Sequence, residues 1–335
     1  MMTTTEPVPN PVLSVRDLRV EFPNRKGMTL PIDGVSFDIA AGEVLGIVGE
    51  SGAGKSMTGA AIIGLIEPPG HIASGEIYLH GRRIDNLSPA DLRRVRGRHI
   101  GMVFQDPLTS LDPLYRVGDQ LIETIRAHRP MSAARARAVA LGLLNEVGIP
   151  AADRRIDAYP HEFSGGMRQR VVLALALCGE PELIIADEPT TALDVSIQAQ
   201  IIGLIKRLCR ERGTAVMLIT HDMGVIAQTA DRVAVMYAGR MVEVGPVRDV
   251  IKQPRHPYTK GLMGSIPSLR ARTGRLEQIP GSMPRLTARL PGCAFAPRCL
   301  SVMPRCAGER PELTPQDASR VACWLYESPV ATAPA

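Results

Sequence analysis

The sequence predicts an α/β protein built on a parallel sheet, and three observations point that way. Short, largely apolar runs at Val44-Leu45-Gly46-Ile47-Val48, Leu183-Ile184-Ile185-Ala186, 215–220 and 233–237 read as strands buried on both faces. Helical patterns at 57–66 and 196–212 follow the first two of them. Between the first strand and its helix stands Gly49-Glu50-Ser51-Gly52-Ala53-Gly54-Lys55-Ser56, which fits the pattern Gly, four residues, Gly-Lys and Ser/Thr. Backbone N–H groups of such a loop and of the helix N-terminus face an anion, and glycine lets the backbone curl around it without a Cβ. Lys55 then reaches the β and γ phosphates, and Ser56 offers its hydroxyl to Mg²⁺.

The elements before and after this loop follow from pattern. Residues 12–39 alternate apolar and polar positions, as in Leu18-Arg19-Val20-Glu21-Phe22, and suit antiparallel strands covering the nucleotide site. The segment 91–166 is rich in Arg, Ala and Leu, is helical in period at 117–128 and 132–147, and reads as a helical insertion. Composition shifts near Gln253: 12 of the 28 prolines lie in the last 83 residues, which form a loop-rich second domain in need of a staple or a partner surface. The expected division is 12–252 and 253–335.

At 335 residues and 45% hydrophobic the chain supports two domains, and no apolar run reaches the ~18 residues of a membrane span. The first seven residues have neither a basic head nor an apolar stretch, so the expectation is a cytosolic location. The net charge of +5 resides in the tail, where 11 Lys/Arg face 5 Asp/Glu. That balance suits an acidic surface, anionic lipid or a bound anion, and equally a solvated surface with scattered arginines. Of six cysteines, Cys178 and Cys209 lie in apolar helical patterns, while Cys293, Cys299, Cys306 and Cys323 fall within 31 residues.

Two further constellations carry chemistry. The strand ending in Asp187-Glu188 delivers two carboxylates where ligands of parallel sheets bind: Asp187 suits Mg²⁺, and Glu188 suits the water that attacks the γ-phosphate. Upstream, Ser164-Gly165-Gly166 opens a helix running to Leu177, with Ser164 as its cap and the dipole favouring a second anion.

Taken in order, these pieces resemble the nucleotide-binding domain of ABC transporters, a P-loop NTPase fold with an antiparallel β subdomain and a helical subdomain, over residues 12–250. The resemblance rests on the phosphate loop, on Gln105 after a strand, on Ser164 to Gly166, on Asp187 and Glu188, on the turn Ala192-Leu193-Asp194 and on His221. It implies catalytic roles for Glu188, His221 and Gln105, Mg²⁺ held by Ser56, Gln105 and Asp187, and nucleotide contacts from the loop, the Ser164 segment and Asp194. Phe22 stands where the family places an aromatic on adenine, although core packing is the other reading. The chain departs from the family signature at Phe163 and Met167, where Leu and Gln are usual.

The run 106–113, with His256-Pro257-Tyr258-Thr259-Lys260-Gly261-Leu262 and the four-cysteine tail, is similar to the ATP-binding subunits of dipeptide, oligopeptide and nickel importers. That resemblance implies import powered by ATP from the cytoplasmic side of the inner membrane. It also implies two permease subunits, a related second ATPase in a heterodimer, an external binding protein and no nucleic acid. In that branch the cysteines are associated with an iron–sulfur cluster; zinc and unliganded thiols are the alternatives. Arg298 and Arg305 are expected to offset the cluster's charge. A soluble ATPase acting on nucleic acid or ribosomes and a redox-responsive regulator are the competing functions.

Overall fold

The structure is a computed structural model, and it describes residues 10–25, 27–106, 109–191, 193–265, 278–284, 286 and 290–327. The N-terminal stretch 1–7, residues 107 and 108 of the 106–113 run, and residue 192 lie outside the described residues.

Two sheets form the scaffold. In the first, β1 (Leu13–Asn24), β2 (Gly27–Ile39), β4 (His71–Leu79) and β5 (Arg82–Arg83) are antiparallel in the order β2-β1-β4-β5. In the second, β3 (Val44–Val48), β6 (Ile100–Val103), β7 (Leu183–Asp187), β8 (Ala215–Ile219) and β9 (Arg232–Tyr237) run parallel. Antiparallel β10 (Arg240–Pro246), β12 (Ser319–Val321) and β11 (Thr314–Gln316) extend it to the order β11-β12-β10-β9-β3-β8-β7-β6.

Every residue of β3, β7 and β8 is buried. Because side chains alternate across a strand, each contributes to both cores. Val44, Val48, Ile184, Ala186, Val216 and Leu218 enter one core, and Leu45, Ile47, Leu183, Ile185, Met217 and Ile219 the other. The second core is closed by the antiparallel sheet and by α1 (Lys55–Ile62). Helix α2 (Pro89–Val95), capped by Ser88, lies at its margin.

The first core is closed by α3 (Val117–His128), α4 (Ala133–Glu146), α5 (Ala152–Arg155), α6 (Gly165–Leu177), α7 (Val195–Arg212) and α8 (Met223–Thr229). The segment 91–166 is therefore not wholly helical. Ile100–Val103 is an edge strand of the main sheet paired to Leu183–Ala186, too short and glycine-containing to show a periodicity.

Past α9 (Val247–Lys252), the tail carries α10 (Pro257–Gly264) and α11 (Arg305–Gly308) and is fastened to the cassette at several points. The Glu243 carboxylate accepts the backbone N–H groups of Arg255 and His256, both at 2.9 Å. Arg310 pairs with Asp33, and β12 pairs with β10. Burial holds the His256 imidazole neutral, its pKa lowered to about 3, so that its Nδ1 accepts the Tyr258 N–H at 3.0 Å.

Leu218, fully buried at the centre of the first core, sets a stability test. Leu218→Ala should lower stability by about 3 kcal/mol, read as a drop in Tm, because the sheet cannot collapse into the vacated volume.

Candidate active site

The catalytic groups are assembled by strand order. Strand β3 lies between β8 and β9, and β7 neighbours β8, so the loops leaving β3, β7 and β8 emerge at one end of the sheet. Ligands of parallel sheets bind at that end. The loop from Gly49 to Ser56 turns there directly into α1, with Gly54 at φ +102° as its cap. A Cβ on Gly54 would stand 2.4 Å from the carbonyl oxygen of Pro31, so β2 presses on the loop and excludes any side chain.

Lys55 is buried, and its ammonium donates to the carbonyl oxygens of Gly49 at 2.9 Å and Glu50 at 3.0 Å. Burial lowers its pKa, against the opposing pull of Glu188, Asp187 and Glu50. Ser56 Oγ donates to Asp187 Oδ1 at 3.0 Å, joining two oxygens that the sequence assigns to Mg²⁺. Burial raises the Asp187 pKa, so this carboxylate is short of positive charge. A hydroxyl and a carboxylate at that separation are a donor set of the hard oxygen type that Mg²⁺ takes.

Glu188 is the hub of the second half. One of its oxygens accepts from Thr191 Oγ1 at 2.9 Å and Gln105 Nε2 at 3.2 Å, and the other lies 3.1 Å from His221 Nδ1. Burial works to raise its pKa, but the hydrogen bonds from His221 and Thr191 prevail and hold the carboxyl below its ordinary value. Its backbone is left-handed, φ +46°, and its N–H donates to Ile219 O at 2.8 Å. A non-glycine residue in that region stores strain of about 1–3 kcal/mol, a recurrent mark of functional turns. Thus Gln105, Asp187, Glu188 and His221, up to 116 positions apart in sequence, converge. Thr191 joins them without having been singled out by sequence; its signal was only its place three residues past Glu188.

The remaining candidates stand elsewhere. Ser164 caps α6, accepting the Met167 N–H at 3.4 Å, and with Gly165 it is solvent-exposed. Gly166 is dictated by packing, since a Cβ there would lie 2.5 Å from Ile197 on α7. Asp194 caps α7, accepting from Ile197 N and Ser196 Oγ, and these bonds hold its carboxyl below the usual range. Phe22 is half-buried, its ring against Gly70 and Ile66 at the edge of the second core.

The four tail cysteines line one small cavity with His256, Phe295 and Trp324. Burial raises the pKa of Cys293, Cys299 and Cys323, the last to about 11, and neighbouring thiols add to the effect. Among the described residues, no set of three or more His, Cys, Asp or Glu side chains is arranged to hold a metal ion. The expectation for the arginines is corrected. Arg298 turns to Glu50 and Tyr237, and Arg305 pairs with Glu309 and Glu327 and stacks 3.4 Å over Trp324, so the demands of nearby carboxylates outweigh those of the thiols.

A phosphate loop on a parallel sheet, flanked by an antiparallel sheet and a helical layer, defines an ATP-binding cassette, an ATP-hydrolysing class. The family described as ABC transporter matches residues 32–191, and the oligopeptide/dipeptide transporter C-terminal region matches 242–306. The chain is 49% identical to the dipeptide transport ATP-binding protein DppD of Bacillus subtilis over 318 residues, 94% of this chain and 95% of that one. It is 48% identical to the oligopeptide transport ATP-binding protein OppD of Salmonella typhimurium, covering 92% of each. Among solved structures, the ATP-binding cassette MJ0796 in its dimeric post-hydrolysis state with ADP and Pi superposes at TM-score 0.63 with 29% identity, over 70% of this chain and 99% of that one. The cbiO1 structure from Clostridium perfringens does so at 0.63 and 28%, over 73% and 92%. The chain belongs to the ATP-binding proteins of dipeptide and oligopeptide ABC transporters.

The loop geometry yields a sharp expectation. Gly54→Ala should abolish ATP binding, read by equilibrium titration, because the new Cβ meets backbone that cannot move aside.

Proposed function

We propose that this chain powers the import of dipeptides or oligopeptides by hydrolysing ATP at the cytoplasmic face of the membrane, driving partner permease subunits. The observation that supports the reading most is the joining of a complete hydrolytic cluster around Glu188 to the peptide-transporter C-terminal region in one chain. Among the described residues no helix is long and apolar enough to cross a membrane, so translocation needs other subunits.

In this reading the loop 49–56 holds the triphosphate, and Lys55 exchanges the loop carbonyls for phosphate oxygens. Ser56, Gln105 and Asp187 would hold Mg²⁺, which when bound would neutralise charge building on the phosphates. Glu188, kept ionised, accepts a hydrogen bond from the attacking water, while Thr191 and Gln105 fix the carboxylate and His221 senses the γ-phosphate. Phe22 offers its half-exposed ring to adenine. The exposed Ser164-Gly165 at the start of α6 faces the nucleotide of a second, related cassette, so that each ATP is shared head to tail and the pair is a heterodimer. An external binding protein delivers the peptide.

The four-thiol cavity is the seat of a [4Fe–4S] cluster in this proposal. The four cysteines, separated by five, six and sixteen residues, lack the close Cys-x₂₋₄-Cys pairs that tetrahedral zinc usually takes. A larger cluster holds its thiolates further apart and requires their deprotonation, which the burial of these thiols opposes until iron is present.

Two measurements check these assignments. Glu188→Gln should keep ATP affinity within about threefold while phosphate release falls at least about 100-fold, and the ATP-loaded variant should recover permease subunits from solubilised membranes. Unchanged turnover would reassign the base, and recovery of ribosomes without membrane protein would overturn the transport reading. Protein purified without oxygen should be brown and contain about four irons per chain; a colourless, iron-free, folded preparation would overturn the cluster.

A further inference from the structure

A carboxylate inside a phosphate-binding loop is an electrostatic problem. Glu50 is the second residue of the loop, and its carboxylate is near enough to Lys55 to act on that ammonium. Left free, it would repel the triphosphate that the loop is built to receive.

The tail answers this problem. Arg298, only 8% exposed, donates from one guanidinium nitrogen to Glu50 Oε2 at 2.9 Å and to the Tyr237 hydroxyl at 3.3 Å. Its Nε donates to Pro280 O at 2.8 Å, and its other terminal nitrogen to Ile279 O at 3.4 Å. The guanidinium is thereby fixed on every side. Tyr258 completes the clamp, its hydroxyl accepting the Glu50 backbone N–H at 2.8 Å. Tyr237, Tyr258 and Phe295 pack ring to ring beneath it, with centroids 4.6 to 5.4 Å apart. Glu50 is therefore held at both its amide and its carboxylate by residues from outside the loop.

We propose that Arg298 is a positioning residue for ATP binding: it neutralises Glu50 and draws its side chain out of the phosphate cradle, so that the C-terminal region completes the nucleotide site. The inference rests on the loop 49–56 being the ATP site. It does not depend on what the transporter carries or on what fills the cysteine cavity.

Charge neutralisation and simple anchoring make opposite forecasts for Glu50. If Arg298 only ties two parts of the chain together, Glu50→Gln breaks the tie and weakens ATP binding as Arg298→Gln does. If it shields the cradle, Arg298→Gln exposes a carboxylate, whereas Glu50→Gln removes the charge that needed shielding.

The test measures Mg·ATP affinity and steady-state kinetics on the full-length chain. Arg298→Gln should raise Kd and KM about tenfold, the equivalent of about 1.4 kcal/mol, with kcat within about twofold. Glu50→Gln, which keeps the loop's backbone N–H groups and removes only the carboxylate, should bind ATP more tightly than Arg298→Gln does. The Glu50→Gln, Arg298→Gln double variant should return to within about threefold of wild type, and higher salt should narrow the Arg298→Gln defect. Arg298→Lys, which keeps the charge, should fall between wild type and Arg298→Gln. An unchanged KM in Arg298→Gln, or a double variant as weak as the single one, would overturn the proposal. Should Arg298→Gln fail to fold, Glu50→Gln alone decides: weakened ATP binding rejects the shield, and retained binding supports it. Failure of the wild-type chain to bind ATP at all would instead remove the ATP reading of the loop.

Discussion

The remainder of the fold depends on one strand, β3, paired in parallel with β8 on one side and β9 on the other. It places the C-terminal ends of parallel strands side by side, so that loops distant in sequence open onto a common edge. The phosphate loop leaves β3, Asp187 and Glu188 end β7, and His221 follows β8. None of these side chains has to reach far. Their mutual distances of about 3 Å are set by a ladder of backbone hydrogen bonds buried between two apolar cores.

The two acids at the end of β7 have opposite electrostatic surroundings, although they are neighbours in sequence. Asp187 is buried with one hydroxyl partner, and burial raises its pKa because its negative charge has lost water, a cost that a bound cation would relieve. Glu188 has swung through a left-handed turn into a nest of donors and stays ionised. The strain of that turn is what separates their roles, because an extended Glu188 would point to the opposite face of the sheet.

Much of this site was legible in the sequence because it follows local rules. Buried parallel strands are largely apolar, the loop 49–56 has a fixed pattern, and Ser164 occupies a cap position. The parts that escaped are those made by distant pairs. Glu50 and Arg298 are separated by 248 positions, and the tail motif around Tyr258 carries no mark that its hydroxyl meets the phosphate loop. Strands of two to four residues, such as β5, β6 and the β11–β12 pair, are too short for alternation to register. Arg298 and Arg305 were assigned to the thiols by nearness in sequence, whereas Glu50 claims the first, and Glu309, one helical turn on, and Glu327 claim the second. The signal that could have found the Glu50 partner was chemical: an acid among phosphate ligands requires a cation close by.

The small hairpin β11–β12 has a meaning for the life of the chain before and after assembly. Without it β10 would be an open edge, offering a row of free amide and carbonyl groups to any extended segment nearby. The hairpin covers that edge and presents in its place a strand of three residues with Pro315 at its centre, which has no N–H to give. The same tail that reaches the nucleotide therefore also guards the sheet against sticking to other copies.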